Sequence, residues 1–118
     1  MDPRWRKYNY LNKKGSVMSD TGTAEKLIAS TTRPHPPAGL APLLEALWWE
    51  AKGNWTRAHE IAQDIHTPDA AWVHAYLHRR EGDQWNAEYW YRSAGQPVCS
   101  LPLDEEWREI VTALLTAK

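Results

Sequence analysis

Residues 40–95 echo themselves at an offset of 29 positions, and the echo falls on small residues. Gly53 pairs with Gly82, Ala46 with Ala75 and Ala58 with Ala87, while Leu43 with Trp72 and Leu47 with Tyr76 keep the same spacing. Small residues that recur at fixed places in a helical pattern let two helices approach closely, which is the logic of stacked helical hairpins. Strand-like alternation is absent throughout. The expected fold class is therefore all-α.

The punctuation between the echoes predicts where the helices start and stop. APLLEALWWEAKG places Pro42 in a first turn and Gly53 at an end, the usual asymmetry of helix termini. NWTRAHEIAQDIH opens on Asn54 as an N-cap. TPDAAWVHAYLHRREG opens on Thr67, with Pro68 at the first helical position and Gly82 as the stop, and DQWNAEYWYRSAG runs from Asp83 to Gly95. LDEEWREIVTALLTAK reads as a fifth, closing helix with Asp104 as cap, acids in its first turn and Lys118 at its end. Upstream, residues 19–30 predict a short helix with Leu27 and Ile28 inward. Residues 31–39, TTRPHPPAG, carry three prolines, which exclude helix and suggest a linker or a strap across the helical body. The division that follows is a basic leader over 1–17, a short helix and Pro-rich strap over 18–39, and a hairpin-repeat domain over 40–118.

EGDQWNAEYWYRSAG, residues 81–95, resembles the second half of a tetratricopeptide repeat through Gly82, Asp83, Ala87, Tyr91 and Ala94, and GNWTRAHEIAQDI resembles the same half through Gly53, Trp55 and Ala58. The resemblance spans about residues 40–95. It departs from the family in length, 29 residues against the usual repeat of about 34. It also departs in having Ala62 where an aromatic is usual, and His74 and His78 where the family buries a Leu and a Tyr. What it implies is two degenerate hairpins with a capping helix, acting as an adaptor rather than an enzyme.

Two functional expectations follow. Projecting the family's concave face onto this chain selects Leu43, Leu47, Trp72, Tyr76, Arg79 and Arg80. Two aromatics and two guanidinium groups suit an acidic peptide or a carboxylate-bearing protein partner, with Trp72, Tyr76, Arg79 and Arg80 as the partner-binding residues. The competing expectation is that this face is core, covered by the strap or by a second copy in a homodimer. A different class of reading starts from His74 and His78, four residues apart on one helical face, the spacing from which a helix offers two ligands to zinc or a similar divalent metal. Glu45, the 29-residue equivalent of His74, is the expected third group, and His59, Glu60 and Asp64 lie on the intervening helix. That set describes a small metal-dependent or acid–base hydrolase centred on Glu45, His74 and His78. Against it, HExxH, CxxC and paired-carboxylate signatures are absent.

Composition narrows the partners. The chain has 118 residues, with eight Trp, five Tyr and no Phe, so its core or its ligand surface is built from rings that also carry a polar group needing a partner. Residues 1–17 hold Arg4, Arg6, Lys7, Lys13 and Lys14 against Asp2; from Met18 onward nine Lys and Arg face fourteen Asp and Glu. The acidic body argues against nucleic acid. No apolar run has the length of a membrane span, and Cys99 stands alone in a loop without a basic neighbour to activate it. A cytoplasmic protein of bacterial type is expected. The run Tyr89, Trp90, Tyr91, with Trp85 a turn earlier, covers nearly every face of its helix, so some of it must be exposed or at an interface.

Overall fold

The computed structural model describes residues 23–116, so the expected leader over 1–17 lies outside the described residues, as does Lys118. Within them the chain forms six α-helices and no strand: α1 Ala24–Ala29, α2 Pro42–Ala51, α3 Trp55–Gln63, α4 Pro68–Arg80, α5 Gln84–Ala94 and α6 Leu103–Thr116. A single 3₁₀ turn, Ser30–Thr32, follows α1.

The helix starts obey local chemistry. The side chains of Asn54, Thr67 and Asp83 each accept the backbone N–H three residues on, from Arg57, Ala70 and Asn86, satisfying donors that a helix N-terminus leaves without partners. Asp104 behaves differently. Helix α6 begins at Leu103, and the Pro102 carbonyl accepts from Glu105 and Glu106, so Asp104 lies inside the first turn as an acid facing the helix dipole rather than as a cap.

α2 and α3 form one hairpin, α4 and α5 the next, and the turns inside them are built alike at the 29-residue offset. Gly53 N–H donates to the Glu50 carbonyl and Gly82 N–H to that of Arg79; Asn54 N–H reaches Trp49 and Asp83 N–H reaches His78, both at 2.8 Å. Both glycines have positive φ, +100° and +90°, a region that side chains with a Cβ enter only at a cost. The turn therefore requires glycine twice.

Ala46, Ala58, Ala75 and Ala87 are fully buried, as close helix approach demands. Packing runs α2 on α3, α3 on α4 and α4 on α5, with α2 also against α4. The inner face of α2 and α4 is covered by α6, which rests on both, and α1 fills in against α2 and α6. The cover is thus the closing helix. The Pro-rich segment does not provide it: residues 32–35 and 37–39, His35 among them, are exposed. Burying Trp48 and Trp107 in this core requires partners for their N–H groups. Trp48 Nε1–H donates to Ser30 Oγ at 3.0 Å and Trp107 Nε1–H to the Leu47 carbonyl at 3.0 Å. The second of these pins α6 to α2. In α1, Leu27 is buried and Ile28 half-buried, both against this core.

Candidate metal centre

Two kinds of polar cluster sit among these helices, and their hydrogen bonding separates them. The first kind is on the covered inner side. Tyr76 on α4 donates to Glu50 Oε1 at 3.0 Å, and Arg80 Nε forms an ion pair with Glu50 Oε2 at 3.0 Å. A matching group joins α4, α5 and α6: Arg79 Nη1 meets Glu106 Oε1 at 2.7 Å and Nη2 donates to the Leu101 carbonyl, while the Tyr91 hydroxyl donates to Glu106 Oε2. Trp72 is buried beside them. Every one of the four residues expected to meet a partner is thus engaged inside the chain: Trp72 and Tyr76 in the core, Arg79 and Arg80 on buried carboxylates. Burial pushes Glu50 above the usual carboxylate range, against the Tyr76 bond and the Arg80 charge that pull it down.

The second kind lies at the seam of α3, α4 and α5. His74 and His78 stand one turn apart on α4 with rings stacked at 6.0 Å, and the preceding helix contributes His59, whose ring meets them edge-on at 5.0 and 5.4 Å. One ligating atom from each of the three lies within 4.8 Å of the others. Tetrahedral zinc, with bonds of about 2.0–2.1 Å, wants its nitrogens about 3.4 Å apart, up to roughly 1.5 Å closer than this bound.

Burial favours the neutral form of two of these rings. His74 is buried; burial first, then the neighbouring His59 and His78, lowers its pKa to about 4 against the pull of a bond to the Ala62 carbonyl. His59 is lowered too, by burial and by His78. Neutral imidazole is the ligating form. The Ala62 carbonyl belongs to the last turn of α3 and already accepts from the Ile65 N–H at 3.1 Å. His74 Nδ1 is buried with no hydrogen-bond partner among the described residues. In His78, Nδ1 meets Glu81 Oε2 at 2.8 Å, which leaves Nε2 to ligate. A carboxylate behind a ligating histidine fixes its tautomer and raises its basicity.

Two tryptophans hold the rings. Trp90 on α5 stacks on His74 at 4.2 Å, and Trp55 stacks on His59 at 4.9 Å. The Trp55 indole is itself anchored, its Nε1–H donating to the Leu77 carbonyl at 2.7 Å. The aromatic run therefore divides four ways: Tyr91 in the core, Trp90 on the histidines, Tyr89 half-exposed and Trp85 in solvent.

A second group, His78, Glu81 and Asp83, also has ligating atoms within 4.8 Å of one another. It is the weaker candidate because its oxygens are committed: Asp83 accepts from the backbone and side chain of Asn86, and Glu81 holds His78.

The sequence placed Glu45 third in the set, and the structure brings His59 there instead. Glu45 is on α2, its Oε2 accepting from Trp49 Nε1 at 3.3 Å. Stepping by one hairpin carries equivalent residues in parallel rather than bringing them together. The neighbour of His74 is consequently the second helix of the preceding hairpin, not its first. Cys99 stays outside the site, its thiol pushed up to about 11 by burial and by Glu106, which leaves it unreactive. Comparison with known protein families, with curated proteins and with solved structures found no match to this chain.

Proposed function

We propose that this chain is a metal-binding helical-hairpin protein that holds a divalent ion of the zinc class on His59, His74 and His78. The observation that carries the reading is the cluster of His59, His74 and His78, with one ligating atom of each within 4.8 Å of the others, in which the buried His74 Nδ1 has no hydrogen-bond partner among the described residues. An unsatisfied polar atom in a packed interior costs about 1–3 kcal/mol, and a bound cation removes that cost. Three imidazoles and one open position form the donor set of catalytic rather than structural zinc sites, in which bound water is brought toward a pKa of about 7. Hydrolysis at this centre is the chemistry such a set can supply. The tetratricopeptide-like adaptor reading asks Trp72, Tyr76, Arg79 and Arg80 to meet a protein or acidic peptide. Those side chains are occupied within the fold, so the metal reading is the one carried forward.

Titration of tag-free, chelator-treated protein with Zn(II) or Co(II) tests it. One ion per chain is expected, with uptake lost in His59→Ala as well as in His74→Ala/His78→Ala. Absence of stoichiometric uptake by the parent chain sinks the proposal. Uptake that survives His59→Ala but not Asp83→Ala moves the site to the second group around His78.

A further inference from the structure

His59 and His74 do more than face each other: both line an open cleft of about 490 Å³ between α3, the start of α4 and α5. That volume falls in the range of small-molecule sites, about 300–1,000 Å³. Beyond the two imidazoles the walls are Ile65, Pro68, Ala71 and the Trp90 indole, while the polar groups, His66 and Ser93 among them, are exposed. Among the described residues, no Asp, Glu, Lys or Arg lines it.

This lining restricts what can bind. A polyanion or an acidic peptide would find no cationic side chain to meet its charge, and a cation would find no carboxylate. One negative charge can be met, by an ion held on the histidines. The rest of the ligand must match a wall of aliphatic carbons and an indole edge, where removing apolar surface from water supplies the affinity. A flat ring suits a cleft walled by an indole and a proline better than a flexible chain, because it brings contact area without rotamer entropy to lose.

We propose that this cleft is the ligand subsite of the metal centre and that it takes small aryl carboxylates, the carboxylate on the ion's open position and the ring against Ile65, Ala71 and Trp90. The proposal rests on the metal reading above. Its chemistry is coordination alone, with no bond of the ligand broken.

Co(II)-loaded full-length protein, followed by its visible absorption, gives the test, with benzoate and acetate as probes because they share the donor group and differ in the ring. Benzoate is expected to perturb the spectrum at least tenfold more tightly than acetate. Ala71→Leu, which fills the wall, should cut that ratio below about threefold; Ile65→Ala, which removes wall from a half-buried position, should weaken benzoate several-fold and leave acetate unmoved. The unliganded Co(II) spectrum of each variant reports that fold and metal site survive. Equal affinity for the two probes, or a ratio indifferent to both substitutions, overturns the cleft proposal and leaves the metal centre standing. A parent chain that binds no Co(II) fails at the earlier step and takes both proposals down.

Discussion

The two polar regions of this protein are built from similar material and finished differently. On the inner side, Glu50 and Glu106 are buried carboxylates each saturated by a tyrosine and an arginine. At the α3–α4–α5 seam, three histidines are packed between two tryptophans, and His74 keeps a buried nitrogen with no hydrogen-bond partner among the described residues. Saturation is what tells them apart. A buried polar group whose partners are all supplied by the chain is part of the fold's own construction. A buried polar atom left over, with two further imidazoles beside it, calls for a partner from outside the described residues.

The comparison breaks most sharply at Glu106, which is fully buried. Glu106→Ala strands Arg79 and the Tyr91 hydroxyl and is expected to cost about 3–5 kcal/mol, read by chemical denaturation, while Zn(II) affinity per folded chain stays as it was. A large loss of metal affinity in the folded fraction would show that the two regions are one.

Next in size is the acid limb of stability in the chelator-treated protein. The folded pKa of His74, about 4, lies below the value of about 6.5 in the unfolded chain. Between the two, the unfolded chain binds a proton that the folded one refuses. His74's contribution is therefore fully present above about pH 6.5 and drains away as pH falls toward 4, by an amount on the order of 3 kcal/mol. His59, also lowered, adds the same sign, whereas Glu50, raised, favours the folded state on acidification. His74→Leu should flatten this slope. An unchanged slope in urea titrations from pH 7 to 4 would remove His74 as its source.

Glu81→Gln sharpens the comparison from the metal side. It keeps a hydrogen-bond acceptor for His78 but removes the charge, and about 10–100-fold weaker Zn(II) binding is expected with little change in metal-free stability. Smallest is Trp85→Ala. Trp85 is 77% exposed and belongs to neither region, so stability should move by less than about 0.5 kcal/mol and metal uptake not at all. A larger shift in either would mean that this indole is engaged in solution.

Much of the fold was legible because its signals are local. Asn54, Thr67 and Asp83 cap helices for reasons contained within four residues. Gly53 and Gly82 stop them because the turn needs positive φ, and the echo of Ala46 in Ala75 and of Ala58 in Ala87 follows from close packing. The candidate site was half legible. The pair His74 and His78 follows from helical period alone, but the third group depends on which helix lies across from it. The 29-residue equivalence pointed to Glu45, when the helix that approaches His74 is α3 with His59. The face of Trp72, Tyr76, Arg79 and Arg80 has the composition of a binding groove, and only the position of α6 shows that its partners are Glu50 and Glu106.

By itself, then, the order of residues determined the all-α class, most of the helix limits and the two hairpins, since caps, glycine stops and small-residue spacing act over a few residues of chain. Tertiary structure alone decided which buried polar groups meet. Arg79 finds Glu106 across 27 positions and His59 finds His74 across 15, because packing three helices side by side sets those distances and separation along the chain does not.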